Sequence, residues 1–253
     1  MPIVIAPDAP YLRGHFPGQP ILPGVVELWL VVEHLSREAG KPLFLRSIKF
    51  ARLRQLVVPD DRLDVAARAG EGGYMRVDVT RGGVLVANAE LELSEASPTQ
   101  LLPRASPVEG ALVEAPPLDL LMPHRPPMRF VAAIERELPE GLQCTVCVPS
   151  ACGLAVEGQA PALLGLEAAA QCAAAWEALR RSREAGEASP RIGYLVAIRD
   201  AEFFVRDIPA DEPLSAVVRL EAAALPLTHY AVEVALRGDV MLRGKVATVL
   251  REA

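Results

Sequence analysis

At 253 residues, 51% of them hydrophobic, the chain is long enough for one large domain or for two of about half that size, each able to bury a core. A net charge of -6 without a basic block argues against nucleic acid as the main partner, and prolines, glycines and charges break every apolar run short of the ~20 residues that a membrane span requires. No amino-terminal stretch has the basic, apolar and cleavable sections of a secretory signal, so a soluble, cytoplasmic protein with no membrane partner is expected.

Residues 1–6 read as a short strand that feeds the run Arg13-Gly14-His15-Phe16-Pro17-Gly18-Gln19-Pro20-Ile21-Leu22-Pro23-Gly24. Its prolines and glycines force a stiff turning loop, which ends where an apolar helix over 25–39 begins; Gly40 is the expected stop. Strands follow at 44–55, 63–69, 74–81 and 84–93, with Gly/Asp-rich turns between them. Arg46, Lys49, Arg52 and Arg54 suit an ordinary solvated strand face, or else a patch for an acidic carrier protein. From residue 94 to 117 periodicity is lost and Pro98, Pro103, Pro107, Pro116 and Pro117 accumulate, which reads as an extended, fairly stiff linker.

Beyond the linker, residues 120–134 include Met122-Pro123-His124-Arg125-Pro126-Pro127-Met128, and 142–148 alternate like a strand. The Cys144-x-x-Cys147 pair in that strand looks like half a zinc site. No second Cys or His pair lies at ligand spacing, so Cys144, Cys147, Cys152 and Cys172 are read as buried thiols without a disulfide. Residues 162–185 form the longest expected helix, rich in alanine and closed by Gly186, and strands follow at 194–205, 214–223, 228–237 and 240–250. Tyr74 through Arg81-Gly82-Gly83 matches Tyr230 through Arg237-Gly238-Asp239 at a constant offset of 156. One domain plan is used twice: an amino-terminal repeat over 1–94, a proline-rich linker over 95–117, and a carboxy-terminal repeat over 118–253.

The chemistry suggested by these residues starts at His15. An imidazole is the side chain suited to act as a base near neutrality, and this one is held on a rigid loop just before a helix whose first N–H groups, around Gly24, lack helical partners. A base beside an oxyanion site is equipment for removing a proton next to a carbonyl.

The segment from His15 to Gly24 resembles the H-F-P-G-x-P-x-x-P-G signature of FabA/FabZ-type 3-hydroxyacyl-ACP dehydratases. The resemblance implies an α+β double hot-dog fold, in which two antiparallel sheets each wrap a central helix and form a pseudo-dimer within one chain; a further homodimer is left open. It implies that His15 is the catalytic base and Gly24 the amide that polarises the thioester, with Phe16 and Pro23 beside the substrate. The family's acid, fourteen positions after the histidine, falls on Trp29. Glu27 is no substitute, being about 200° around the helix axis from that position, and is read as solvated.

The second repeat has the opposite deficit. Matching Pro161 to Pro23 brings Glu167 to the acid position, in Leu166-Glu167-Ala168-Ala169-Ala170-Gln171, which resembles the family's L-E-A-M-A-Q, while residues 154–160 hold no histidine. The 122–128 run resembles the L-P-H-R-x-P-F entry segment, which implies a structural role for His124 rather than that of base. Because the family builds each site across a dimer interface, His15 and Glu167 complete one composite site and Trp29 marks a dead one. Gln171, one turn beyond Glu167, orients its carboxyl or sits at the edge of the core. The pattern resembles the paired dehydratase subunits of aryl polyene pathways joined in one chain. A substrate carried on the phosphopantetheine of an acyl carrier protein, and no metal or organic cofactor, are the implied ligands. A hot-dog acyl thioesterase and a non-catalytic acyl-carrier binding module are the competing readings.

Overall fold

The computed structural model describes residues 1–97, 101–185, 191–224 and 226–250. In the amino-terminal half, β1 (Ile3–Val4) precedes the helix α1 (Gly24–Ala39), which is followed by β2 (Phe44–Leu53), β3 (Arg62–Ala69), β4 (Met75–Arg81) and β5 (Val84–Ser94). The carboxy-terminal half adds β6 (Ala111–Leu112), α2 (Leu118–Leu121), β7 (Val131–Leu138), β8 (Gly141–Val146), β9 (Gln159–Pro161), α3 (Leu164–Ala185), β10 (Gly193–Phe203), β11 (Asp207–Pro209), β12 (Leu214–Ala224), β13 (Leu227–Leu236) and β14 (Asp239–Leu250).

The two sheets expected from the sequence are continuous. Twelve strands run in the order β1-β3-β4-β5-β2-β10-β14-β13-β12-β8-β7-β6, and β9 and β11 pair separately. The seam is the antiparallel pair β2–β10, in register at Ile198 with Ala51 and Ala201 with Ile48. Each half would otherwise leave that strand as a bare edge, with its N–H and C=O groups unpaired, so joining the halves satisfies both edges at once. Outward from the seam each half repeats the same sequence of strands: β2, β5, β4, β3 on one side and β10, β14, β13, β12 on the other. The amino-terminal half ends at β1, and among the described residues it has no counterpart of β7.

Each half's long helix packs on its sheet, α1 on β2 and α3 on β8, β12 and β13, and the two helices also touch each other. Alanine suits α3 because the sheet comes close: a Cβ added at Gly165 would stand 2.5 Å from the Leu242 side chain. α1 stops at Gly40, whose φ of 66° is left-handed and costs glycine little. The Gly186 stop expected for α3 lies outside the described residues.

The linker is less free than its prolines suggest. The Ala111–Leu112 strand pairs with β7, Arg104 bridges to Asp239, and Val240 N–H donates to the Pro103 carbonyl, so this stretch lies along the carboxy-terminal half. Pro98 lies outside the described residues. The cysteines are free thiols, with Cys144, Cys152 and Cys172 buried. Among the described residues no helix is long and apolar enough to cross a membrane.

Candidate active site

The 13–24 loop is fixed to the protein at several points. Ile21 holds His15 twice: its N–H donates to the His15 carbonyl at 3.0 Å, and its carbonyl lies 2.9 Å from the ring Nδ1. A carbonyl only accepts, so Nδ1 carries the proton and the lone pair of the neutral ring is left on Nε2. Leu22 N–H donates to the Val57 carbonyl at 2.8 Å, which ties the end of the loop to the sheet side. At Gly14, φ is 83° and any Cβ would collide with the Arg125 carbonyl, while Arg125 N–H donates to the Gly14 carbonyl at 3.0 Å. That close approach, which only glycine permits, docks the His15 loop onto the entry segment of the other half.

Nε2 of His15 stands 3.8 Å from Oε1 of Glu167, a residue of the other half. Glu167 is 3% exposed, on the first turn of α3. Gln171 orients it: its amide donates to Glu167 Oε1 at 3.1 Å and to the Met128 carbonyl at 2.8 Å, and its oxygen accepts from the Phe130 N–H at 2.8 Å. Gln171 is itself 1% exposed, inside the core rather than at its edge.

His124 is in the site, not merely near it. Its Nε2 is also 3.8 Å from Glu167 Oε1, its ring centroid is 5.4 Å from that of His15, and its Nδ1 is buried without a hydrogen-bond partner. Burial, with His15 and Arg125 nearby, holds this imidazole well below the usual histidine range, so it is neutral. Sequence reasoning gave His124 a structural role alone; the signal that could have found it is the glycine at 14, which brings the two segments together.

Among the described residues, His15, His124 and Glu167 are also the group that could hold a metal ion, with donor atoms all within 4.8 Å of one another. Two imidazoles and a carboxylate are a donor set that divalent transition metals accept.

The cavity against these groups is narrow, about 60 Å³, and is lined by Gly24 and Gln171 among others. Phe16 and Pro23 do not line it. Phe16 stacks on the His15 ring with centroids 4.4 Å apart, and Pro23 caps α1, its carbonyl accepting from the Val26 and Glu27 N–H groups. Gly24 opens α1, where its N–H has no helical partner, and a Cβ there would collide with Leu53. Along α3 the cavity follows one face, Glu167, Ala170, Gln171, Ala174 and Glu177, a rise of ~15 Å along the helix. Small alanines keep that path open.

Glu27 requires a correction. It is not solvated: it is 3% exposed, lines this same cavity, and its Oε1 is buried with no hydrogen-bond partner. The rotation of about 200° that turns it from the Trp29 direction turns it into the complete site instead of into water. Burial raises its pKa to about 7, against an opposing pull from Arg81.

Trp29 faces a second cavity of about 510 Å³, together with Leu154, Val156, Pro161 and Leu163. No histidine lines it, so the tryptophan and the histidine-free loop share one cavity as the sequence implies.

A helix wrapped by an antiparallel sheet, used twice, with a histidine of one half and a carboxyl of the other meeting in a buried cavity, defines a hot-dog protein of the dehydratase class. Residues 116–252, more than half of the chain, match the family model described as ApeP-like, ApeP dehydratase, and residues 1–84 match the one described as ApeI-like, ApeI dehydratase. The chain belongs to the ApeP-like dehydratases and fuses to that unit a partner of the ApeI type.

Among curated relatives, the 3-hydroxyacyl-[acyl-carrier-protein] dehydratase FabZ of Pelotomaculum thermopropionicum is 35% identical over 98 residues, 34% of this chain and 70% of that protein. Other FabZ matches span as little as 47% of the relative's length. Among solved structures, the dehydratase heterocomplex ApeI:P from Xenorhabdus doucetiae aligns over 55% of this chain and 93% of its own, with a TM-score of 0.50 and 20% identity. The dehydratase domain of RzxB from Pseudomonas fluorescens covers 99% of this chain and 93% of its own, with a TM-score of 0.67 and 15% identity. That near-complete coverage matches the double hot-dog fold across both halves.

Proposed function

We propose that the protein dehydrates 3-hydroxyacyl thioesters to trans-2-enoyl thioesters at one composite site. Nε2 of His15 takes the proton from C2, and the Gly24 N–H stabilises the enolate oxygen that forms. Glu167, protonated, gives its proton to the departing C3 hydroxyl, which leaves as water. His15 then returns its proton to Glu167 across the 3.8 Å that separates them, so that both groups are reset. Every step is redox-neutral and each proton is carried by a side chain, so the reading calls for no electron-carrying cofactor. The observation that carries it is the meeting of these two groups, from different halves, in one buried cavity.

The thioester arrives on the phosphopantetheine arm of an acyl carrier protein, in keeping with the names of the FabZ relatives. Of the basic residues considered for docking, Lys49 is paired with Glu90 at 2.9 Å and Arg54 with Asn88 at 3.0 Å, so a carrier has to compete with existing partners there. The two halves supply the pairing that separate subunits would otherwise provide.

The test is turnover of 3-hydroxyacyl thioesters, on carrier protein and on coenzyme A, by wild type, His15→Ala and Glu167→Gln. Enoyl thioester from wild type and a drop of about 100-fold or more in each variant is expected. Release of free thiol would replace this reading with a thioesterase, and acyl binding without turnover would replace it with a carrier-binding module.

A further inference from the structure

Glu27 stands apart from the reaction just described. His15, Glu167 and Gly24 account for every proton and charge in it, yet a second buried carboxyl lines the same cavity with one oxygen unpartnered. Burying a carboxyl oxygen without a hydrogen bond is costly, and a chain that keeps one gains nothing in stability from it. The cation nearest in effect does not relieve it: Arg81 is engaged by the Asp61 carboxylate at 2.5 Å, the Leu56 carbonyl at 3.2 Å and the Gln55 side chain at 3.2 Å.

The surroundings fix what Glu27 can meet. It sits one turn beyond Gly24 on α1 and shares the cavity with the apolar Leu22, Leu53 and Val57 and with Gln55, whose side-chain oxygen already accepts from Arg81. A group that enters the cavity with its carbonyl at the Gly24 N–H passes Glu27 within about one turn of helix, ~5 Å. Whatever lies there on the bound molecule faces the orphaned oxygen.

We propose that Glu27 is a specificity-determining residue that selects acyl chains bearing a hydrogen-bonding oxygen, a hydroxyl or a keto group, over plain hydrocarbon chains. A protonated carboxyl both donates and accepts, so it serves either kind of oxygen; with burial raising its pKa to about 7, that form is present near neutrality. Discrimination is then large for the reason that buried polar groups left unpaired are expensive. A plain chain covers Glu27 and leaves it unsatisfied, whereas an oxygenated chain completes it.

The inference rests on the dehydratase reading, and its test separates the two. Two 3-hydroxyacyl thioesters of equal length are compared, one with a plain alkyl tail and one with a second hydroxyl about 5 Å beyond the carbonyl, the rise of three helical residues. Wild type is expected to favour the oxygenated chain by about tenfold or more in kcat/KM. Glu27→Leu should erase that preference by accepting the plain chain better, while Glu27→Gln, near-isosteric and still able to donate and accept, should keep most of it. Equal use of both chains by wild type overturns the inference and leaves the dehydratase reading standing, as does an equal loss on both chains in the Leu and Gln variants. No dehydration of either chain by wild type removes both.

Discussion

Glu27 and Trp29 stand two residues apart on α1 and line different cavities, the carboxyl the one that holds His15 and Glu167, the indole the one without a histidine. The helix is therefore a partition. Gly24 and Glu27 face one chamber, and Trp29, Val32, Glu33 and Ser36 face the other. The two chambers are related by the internal repeat, yet only the first is lined by histidine.

Truncating the indole tests this asymmetry. Trp29→Ala enlarges a chamber that the proposed reaction does not use, so kcat/KM should stay within about threefold of wild type, as expected for groups in separate sites. A steady-state assay on the same preparation as Glu167→Gln provides the contrast. A loss in Trp29→Ala as large as that in Glu167→Gln would mean that the second chamber takes part in turnover.

His124 should matter to rate without being the base. His124→Phe keeps a ring against Phe16, now 4.8 Å away between centroids, and removes the nitrogen that faces Glu167. We expect kcat to fall about tenfold or more, less than in His15→Ala, with the melting temperature little changed.

Gln171 joins three partners, so its replacement has two consequences. Gln171→Leu leaves the Phe130 N–H and the Met128 carbonyl buried and unpaired, and urea titration should show a loss of about 3 kcal/mol. It also frees the Glu167 carboxyl from its 3.1 Å contact, so kcat should fall even at temperatures where the variant is fully folded. Intact turnover in a folded Gln171→Leu protein would show that the carboxyl needs no orienting group.

Much of this was legible beforehand because the signals were local. The loop prolines and glycines, Gly40 and the turns at Gly82-Gly83 and Arg237-Gly238 mark boundaries through backbone constraints that a short window of sequence contains. His15 was legible in its proline- and glycine-rich loop and the signature that loop resembles, and Glu167 in the match of Pro161 to Pro23, so that a long-range contact was read from two local alignments. What was not legible depended on tertiary docking. β7 follows a proline-rich entry and pairs with β8 across a register shift, which hides its alternation. The merging of the sheets through β2 and β10 is a contact between strands whose sequences record only that they are strands. Glu27 shows the limit most clearly, since the helical angle was correct and the error lay in taking the far side of the helix to be solvent.

Stability against pH tests Glu27 without any substrate. Its ordinary pKa of 4.5 is raised to about 7 in the folded protein by burial, so the folded state holds a proton that the unfolded state has lost over that interval. For an acid shifted upward, the stabilising contribution is complete below pH ~4.5 and is lost as pH rises through ~7. The difference between the two values corresponds to about 3 kcal/mol, the most that wild type can lose to this group between pH 4 and pH 8. Glu27→Gln cannot ionise and should lose none of it. Urea midpoints for the two proteins should therefore lie close together at pH 4.5 and separate by pH 8, with Glu27→Gln the more stable. Parallel curves across that range would show that the carboxyl has a polar partner in solution, and that its oxygen is not held open for a substrate.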